Sequence, residues 1–556
     1  MSLLQPTPPP YDPLVWQQLP FPERARQVCQ AWALQGYGAP LSVVLAYVLK
    51  ILAYVGIWLW ACARSPELGT PAEFAQWWAH PLAFQKAITW SMLFELLGLG
   101  CGSGPLTGRY LPPVGGVLYF LRPGTLTHPA KPGMPLLGGD TRTWLDVALY
   151  GAVISILGWS TIAPEAVEWA PLAVLLLFVP LGLSDRTTVL AARGEHYLTM
   201  LLVFAFAGNW IAGAKAVQLA LWFWAGMSKL NHHFPTVVGV MTSNGPLTRH
   251  PRIRRAMYRQ FPDDLRPSRL ATVLAHLGTA LELAVPTVLY LQSGPAGLAL
   301  GLVLMVVLHV YITSNVPMGV PLEWNVLVVY AGFALFLGHP EVGLDQLGNP
   351  LLGGVLGVLL IGLPLLGNLR PDVLGFLPSM RYYAGNWAMS IWLLERGAER
   401  KLEQGLVMSS PWIYRQLAPF YDEATAVGLV GKVMAFRLMH LHGRALGPLV
   451  QRAAPQLARY HWLDGELVAG MARGWNFGDG HLHDERLLAQ LQARCGFAPG
   501  ELRCVFVESQ PMLDNTLHWR IADAATGELA AGRVTVEALR ARQPWEVHEG
   551  PGWTAP

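Results

Sequence analysis

A lysine at the end of an apolar helix is the chemically most demanding feature of this chain. Lys229 lies in the run Trp222-Phe223-Trp224-Ala225-Gly226-Met227-Ser228-Lys229-Leu230-Asn231-His232-His233-Phe234. A charge at the centre of a membrane helix costs about 3 kcal/mol on insertion scales unless it snorkels or finds a partner. Lys229 is therefore either an anchor at the lipid headgroups or a group whose charge is used. An apolar pocket disfavours the ammonium, and the neutral amine can take a proton or attack a carbonyl. Trp222, Trp224 and Phe234 supply walls for such a pocket and are the candidate cofactor-binding residues. The same aromatics would also suit a lipid interface.

Other ionisable residues fall inside apolar segments: Lys50, Glu95, Asp146, Lys215, His276, Glu282 and His309. Counting residues from the helix ends places Lys229, His276 and His309 in the same half of the membrane, with Glu282 deeper. These four are the candidate catalytic set, a polar pocket if their helices converge. The plainer accounts stand beside it. Lys229 snorkels, and each histidine satisfies a backbone carbonyl. Lys50 and Glu95 form an ion pair between consecutive helices. Lys215 snorkels at the opposite end. Asp146 caps its helix near Thr143 or binds Arg142. No metal site is expected. The five cysteines contain no CxxC pair, and an odd number argues against a disulfide framework. His481-Leu482-His483-Asp484, with His440 and His442 upstream, has ligand types without a specifying spacing. It reads better as a Gly-rich turn capped by Asp479, in the run Trp475-Asn476-Phe477-Gly478-Asp479-Gly480. Asp464, Glu466 and Asp484 are expected to be solvated.

The elements that must hold these residues are transmembrane helices. The chain of 556 residues is 53% hydrophobic and 13% charged, where soluble domains carry about 25% charge. The deficit lies in the first 370 residues or so. About ten apolar segments approach the roughly 20 residues of a span: 41–62, 82–101, 144–162, 169–183, 197–211, 213–231, 269–291, 296–313, 322–337 and 351–368. Three are short, so eight to ten spans are expected. Arginines and lysines cluster in the loops 102–143, 184–196 and 232–268, and are nearly absent from those between. This alternation puts the N-terminal segment (1–40), the basic loops and the C-terminal part on the cytoplasmic side of the cell membrane. The Arg249–Arg259 cluster sets topology, or in a sharper reading meets anionic headgroups. No signal peptide is visible. Residues 371–556 form an extramembrane α+β domain: a membrane-surface segment, then helices to about 492, then strands at 502–509, 516–523 and 528–536. The fold class is a polytopic α-helical membrane protein of about eight to ten spanning helices with a C-terminal soluble α+β domain. There is no repeat and no nucleic-acid motif. The lipid bilayer and a lipophilic small molecule are the expected partners, and the oligomeric state stays open.

The word Ala225-Gly226-Met227-Ser228-Lys229-Leu230-Asn231-His232-His233-Phe234 resembles that of the vitamin K-dependent gamma-carboxylase-like superfamily, also called the horizontally transferred transmembrane domain family. Leu281-Glu282-Leu283-Ala284-Val285-Pro286 is similar to its Glu-Leu-x-x-Pro segment, and His309 with Thr313-Ser314-Asn315 to the region that follows. The resemblance implies that Lys229 is a catalytic base acting on a lipophilic substrate, with a reduced quinone as the implied cofactor. The chain departs from that family: it lacks a recognisable large glutamate-peptide-binding domain, and its basic loops put Lys229 near the cytoplasm. The whole chain, including Arg381-Tyr382-Tyr383-Ala384-Gly385-Asn386-Trp387, also resembles bacterial transmembrane proteins of unassigned function. Two other classes remain open. One is a transporter or lipid-handling protein, with Gly98, Gly100, Gly102 and Pro105 as helix breaks. The other is a membrane scaffold whose C-terminal domain binds a partner.

Overall fold

The computed structural model describes residues 2–100, 115–291, 294–314, 321–475 and 479–554. Gly102, Pro105, the loop residue Arg109, Asn315 and residues 476–478 lie outside them. Among the described residues five helices are long and apolar enough to cross a membrane: Leu41–Cys62, Trp144–Ile162, Arg269–Leu291, Gly294–Thr313 and Pro350–Leu369. Their boundaries match the expected segments to within a residue or two. Only 17% of the apolar stretch of Leu41–Cys62 is buried, and Leu45, Val48, Leu49, Leu52 and Trp60 face outward. A continuous apolar face of that kind needs lipid rather than water. The chain is an integral membrane protein.

The expected count of eight to ten spans is not reached by these criteria, for a physical reason. Ala170–Ser184, Tyr197–Phe206 and Leu322–Leu337 are apolar but short. Pro81–Leu96 and Trp210–Ser228 are enclosed by other helices and carry Lys86, Glu95, Lys215 and Gln218 on buried faces. A sixth candidate, Glu423–Met439 with His442–Ala453, is bent by 101° and belongs to the C-terminal domain, where Phe436 packs at a tilt against Trp32 of the helix Phe21–Gln35.

The charges inside the bundle are matched, though in part by partners other than those expected. Lys50 pairs with Glu323 at 3.2 Å and Glu95 with Arg193 at 3.0 Å. Asp146 closes a capping box with Thr143, while Arg142 pairs with Asp185. Lys215 does not snorkel. It is buried and donates to the carbonyls of His339 (2.8 Å) and Val342 (2.6 Å). Lys86, at that same end, donates to the carbonyls of Ala61, Thr161 and Ala163. These carbonyls lie at the C-terminal ends of two spans, where a helix leaves acceptors unpaired and a cation is favoured.

The rest of the chain packs on the other end of the bundle. A short hairpin, β1 (Tyr258–Gln260) and β2 (Asp264–Pro267), precedes the Glu282 helix. A six-stranded antiparallel sheet follows, built from β3 (Met389–Glu395), β4 (Tyr460–Asp464), β5 (Leu502–Val507), β6 (Thr516–Asp523), β7 (Gly527–Thr535) and β8 (Trp553–Thr554) in the order β4-β3-β5-β6-β7-β8. The β6–β7 hairpin stands where it was expected. β3 replaces the expected membrane-surface segment leading into helices. Its first six residues are buried on both faces, so the run shows no alternation from which a strand could be read. Asp464 is not solvated: it is 1% exposed and pairs with Arg437, which the partly exposed Glu466 also holds.

The N-terminal segment belongs to this body. Trp16 and Phe21 pack on Trp462 of β4, and Trp32 donates to Val240 O. Gln490 donates to Thr127 O, Arg486 to Pro129 O, and Gln543 accepts from Leu265 N. The N-terminal segment, the basic loops and the C-terminal domain therefore share one end of the bundle.

Candidate functional site

Lys229 follows the last residue of the central helix, Trp210–Ser228. That helix runs against Arg269–Leu291, and the two meet closely at Gly226. A Cβ there would lie 2.7 Å from Leu283 Cδ2 and 3.2 Å from the Leu283 backbone nitrogen. The glycine is thus what lets the second helix bring Glu282 to the lysine. The Lys229 ammonium sits 2.6 Å from Glu282 Oε2, donates to Ala225 O at 3.1 Å, and lies 5.6 Å from the centre of the Phe234 ring. Both side chains of the pair are buried, 8% and 7% exposed. Neither group is exposed at the protein surface.

The pair borders a cavity of about 150 Å³ with almost wholly apolar walls. The central helix contributes Gln218, Trp222, Ala225 and Lys229. His309, from Gly294–Thr313, closes another side. Its Nε2 accepts from Trp222 Nε1 at 3.0 Å, and its Nδ1 faces Asn325 Oδ1 at 2.7 Å. The indole can only donate, so the tautomer that satisfies both contacts is neutral with its proton on Nδ1. His309 orients the wall and has no free nitrogen for a ligand. Trp324 lines the cavity and donates to His196 Nδ1 at 2.9 Å, with the Arg193 guanidinium 4.9 Å from its ring. The last wall comes from the connector to the C-terminal domain. Tyr382 donates to Glu195 at 2.9 Å, and Tyr383 donates to the Met241 sulfur.

Of the seven expected site residues, five share this cavity: Lys229, Glu282, His309, Trp222 and Phe234. Two do not. His276 is exposed and lines a separate polar cleft of about 510 Å³ with Asn231, Asn368, Asn386 and Asp514. Trp224 faces the other way, donates to Leu360 O at 2.7 Å, and lines an apolar groove on the bundle surface. Gln218, Trp324, Asn325 and Tyr382 were not anticipated. A signal for Gln218 existed: 218, 222, 225 and 229 are spaced by four, three and four residues, the spacing of one helix face.

The C-terminal domain holds a second polar cluster. His481 Nδ1 lies 3.0 Å from Asp479 Oδ1, and its Nε2 lies 3.0 Å from Glu508 Oε2. Burial works against a charged imidazole here, but Glu508 and Asp479 outweigh it and hold the His481 pKa well above the usual histidine value. Burial likewise opposes both carboxylates, and His481 keeps them low. Asp479 also caps the turn, accepting from His481 N. His483 instead hydrogen-bonds Ser390. Burial pushes His483 and His440 down to about 3. Among the described residues no group of three or more His, Cys, Asp or Glu is arranged to hold a metal ion.

The model of a family of transmembrane proteins of unknown function, DUF3556, matches residues 1–552, and the chain belongs to that family. No curated protein and no solved structure matches. The comparisons give no link to the carboxylase-like superfamily.

Proposed function

We propose that this member of the DUF3556 family is a membrane-embedded enzyme. It binds a lipophilic substrate in the aromatic cavity and uses Lys229 as general base. The observation that carries this reading is the Lys229–Glu282 pair, buried at 2.6 Å against a cavity with apolar walls. An ammonium and a carboxylate are both costly there, and structural pairing alone is better served by apolar residues. Chemistry gives the pair a use. The Lys229 ammonium first passes a proton to Glu282 Oε2, 2.6 Å away, and the neutral amine then takes a proton from an acidic hydroxyl of the substrate. The O–H bond breaks, an N–H bond forms, and the new ammonium, beside a now neutral Glu282, faces the oxyanion. A quinol is the first substrate to try, on the resemblance of the Lys229 and Glu282 words.

The test is ligand retention followed by turnover. Protein purified from membranes in mild detergent is extracted with solvent, and the extract is analysed by mass spectrometry. A lipophilic compound is expected in the wild type and absent from Ala225→Trp, which fills the cavity. Reconstituted protein is then given a naphthoquinol, with Lys229→Met as control. Lys229-dependent conversion supports an enzyme. Transbilayer movement of the unchanged molecule would replace this reading by a transporter, and identical extracts from wild type and Ala225→Trp would remove the site altogether.

A further inference from the structure

The cavity has a second polar end. The Lys229 side chain turns back to the Ala225 carbonyl. From that level Gln218 lies seven residues further along the same helix face, about 10 Å along the axis. Between them stand the Trp222 indole and the small Ala225 side chain. Gln218 is fully buried, and neither its amide nitrogen nor its amide oxygen has a hydrogen-bond partner among the described residues. Buried amides are nearly always satisfied, so an orphaned one bordering a cavity points to a partner that arrives with a ligand. A carboxamide donates and accepts without charge, which suits a neutral hydroxyl or carbonyl rather than an ion. His309 cannot take this role, because Trp222 and Asn325 occupy both its nitrogens.

We propose that Gln218 determines specificity. The site takes an elongated, ring-containing lipophilic molecule with two polar groups about 10 Å apart. An ionisable hydroxyl meets Lys229 and Glu282, and a neutral hydroxyl or carbonyl meets Gln218. This rests on the cavity being the binding site, and the experiment separates the two claims. The probes are 4-phenylphenol, with one hydroxyl, and 4,4'-biphenol, rigid and with a hydroxyl at each end. Binding is followed in detergent by quenching of tryptophan fluorescence, since Trp222 and Trp324 line the cavity. The diol is expected to bind the wild type about tenfold more tightly, the size of one net hydrogen bond. Gln218→Met erases that preference by weakening the diol alone. Equal binding of both probes to the wild type overturns the role of Gln218 and needs no variant to fold. Binding of neither probe, or binding unchanged in Ala225→Trp, overturns the cavity reading and this inference with it.

Discussion

Replacing one member of the Lys229–Glu282 pair should be far more damaging than replacing both. The two charged groups are 2.6 Å apart and less than a tenth exposed. At an effective dielectric constant of about 20 their attraction is about 6 kcal/mol, and most of it offsets the cost of taking both charges out of water. Lys229→Met leaves the Glu282 carboxylate without its cation. Glu282→Met leaves the ammonium, among the described residues, with the Ala225 carbonyl and the Phe234 ring. Each single change is expected to cost about 3–5 kcal/mol, the range for an orphaned buried charge. The double variant replaces the pair with apolar side chains of similar size and should lie near the wild type, or above it in stability.

The assay is a double-mutant cycle in detergent, with SDS-induced unfolding followed by far-UV circular dichroism. The expected coupling is several kcal/mol, and ligand retention is lost in all three variants. Single costs below about 1 kcal/mol that simply add in the double variant would refute the reasoning, because independent sites behave that way. Lys229 would then be a solvated anchor.

Gly226→Ala puts a methyl group 2.7 Å from Leu283 Cδ2; a loss of about 1–3 kcal/mol is expected from overpacking, with partial rescue by Leu283→Ala in the same unfolding assay. Lys86→Met strands three buried carbonyls at about 1–3 kcal/mol, yet sits at the far end of the bundle, so the retained ligand should be unchanged by mass spectrometry. The His481 cluster predicts a pH dependence. A histidine whose folded pKa is raised gives stability that is fully present below its unfolded value, about 6.5, and lost as pH rises through the folded one. Asp479 and Glu508 are depressed, so their share is lost only in acid. The melting temperature should therefore fall from pH 6.5 upward in the wild type and stay flatter in His481→Gln. Parallel curves for the two proteins would show that His481 is not held charged.

The spans were legible because lipid selects length and apolarity, and both are written residue by residue. Leu41–Cys62, Trp144–Ile162 and Arg269–Leu291 stand where hydropathy put them. The site was half legible, and the residues that failed show why. Depth along a helix does not fix the angle around it. Trp222 and Lys229 are seven residues apart, within about 20° of one face, whereas Trp224 is turned by about 140° and His276 lies about 120° from Glu282. The period alone removes the two residues that the structure places elsewhere. Trp324 and Tyr382 are another matter. Nothing local marks them, because they reach the cavity through pairings across the fold, with His196 and Glu195. The same holds for Lys50 and Glu95, whose partners Glu323 and Arg193 are remote in sequence.

Composition suggested a boundary near residue 370 between a membrane domain and a soluble one, and the chemistry does not respect it. Tyr382 and Tyr383 lie beyond that boundary and yet form a wall of the cavity in the helix bundle. Tyr383 holds a left-handed backbone (φ 50°), as does Met380 (φ 52°), a conformation that non-glycine residues adopt only where surrounding contacts fix it. Gly385 packs on His233, whose imidazole meets Gln510 of the C-terminal domain at 2.9 Å, four residues from Lys229. The C-terminal domain thus grips both the connector that walls the cavity and the helix start beside Lys229. A movement of that domain would be felt first at the tyrosine wall, next to the Lys229–Glu282 pair. Truncation after Arg370 should therefore abolish ligand retention even where the membrane helices still fold, which a domain that merely recruits a partner would not do.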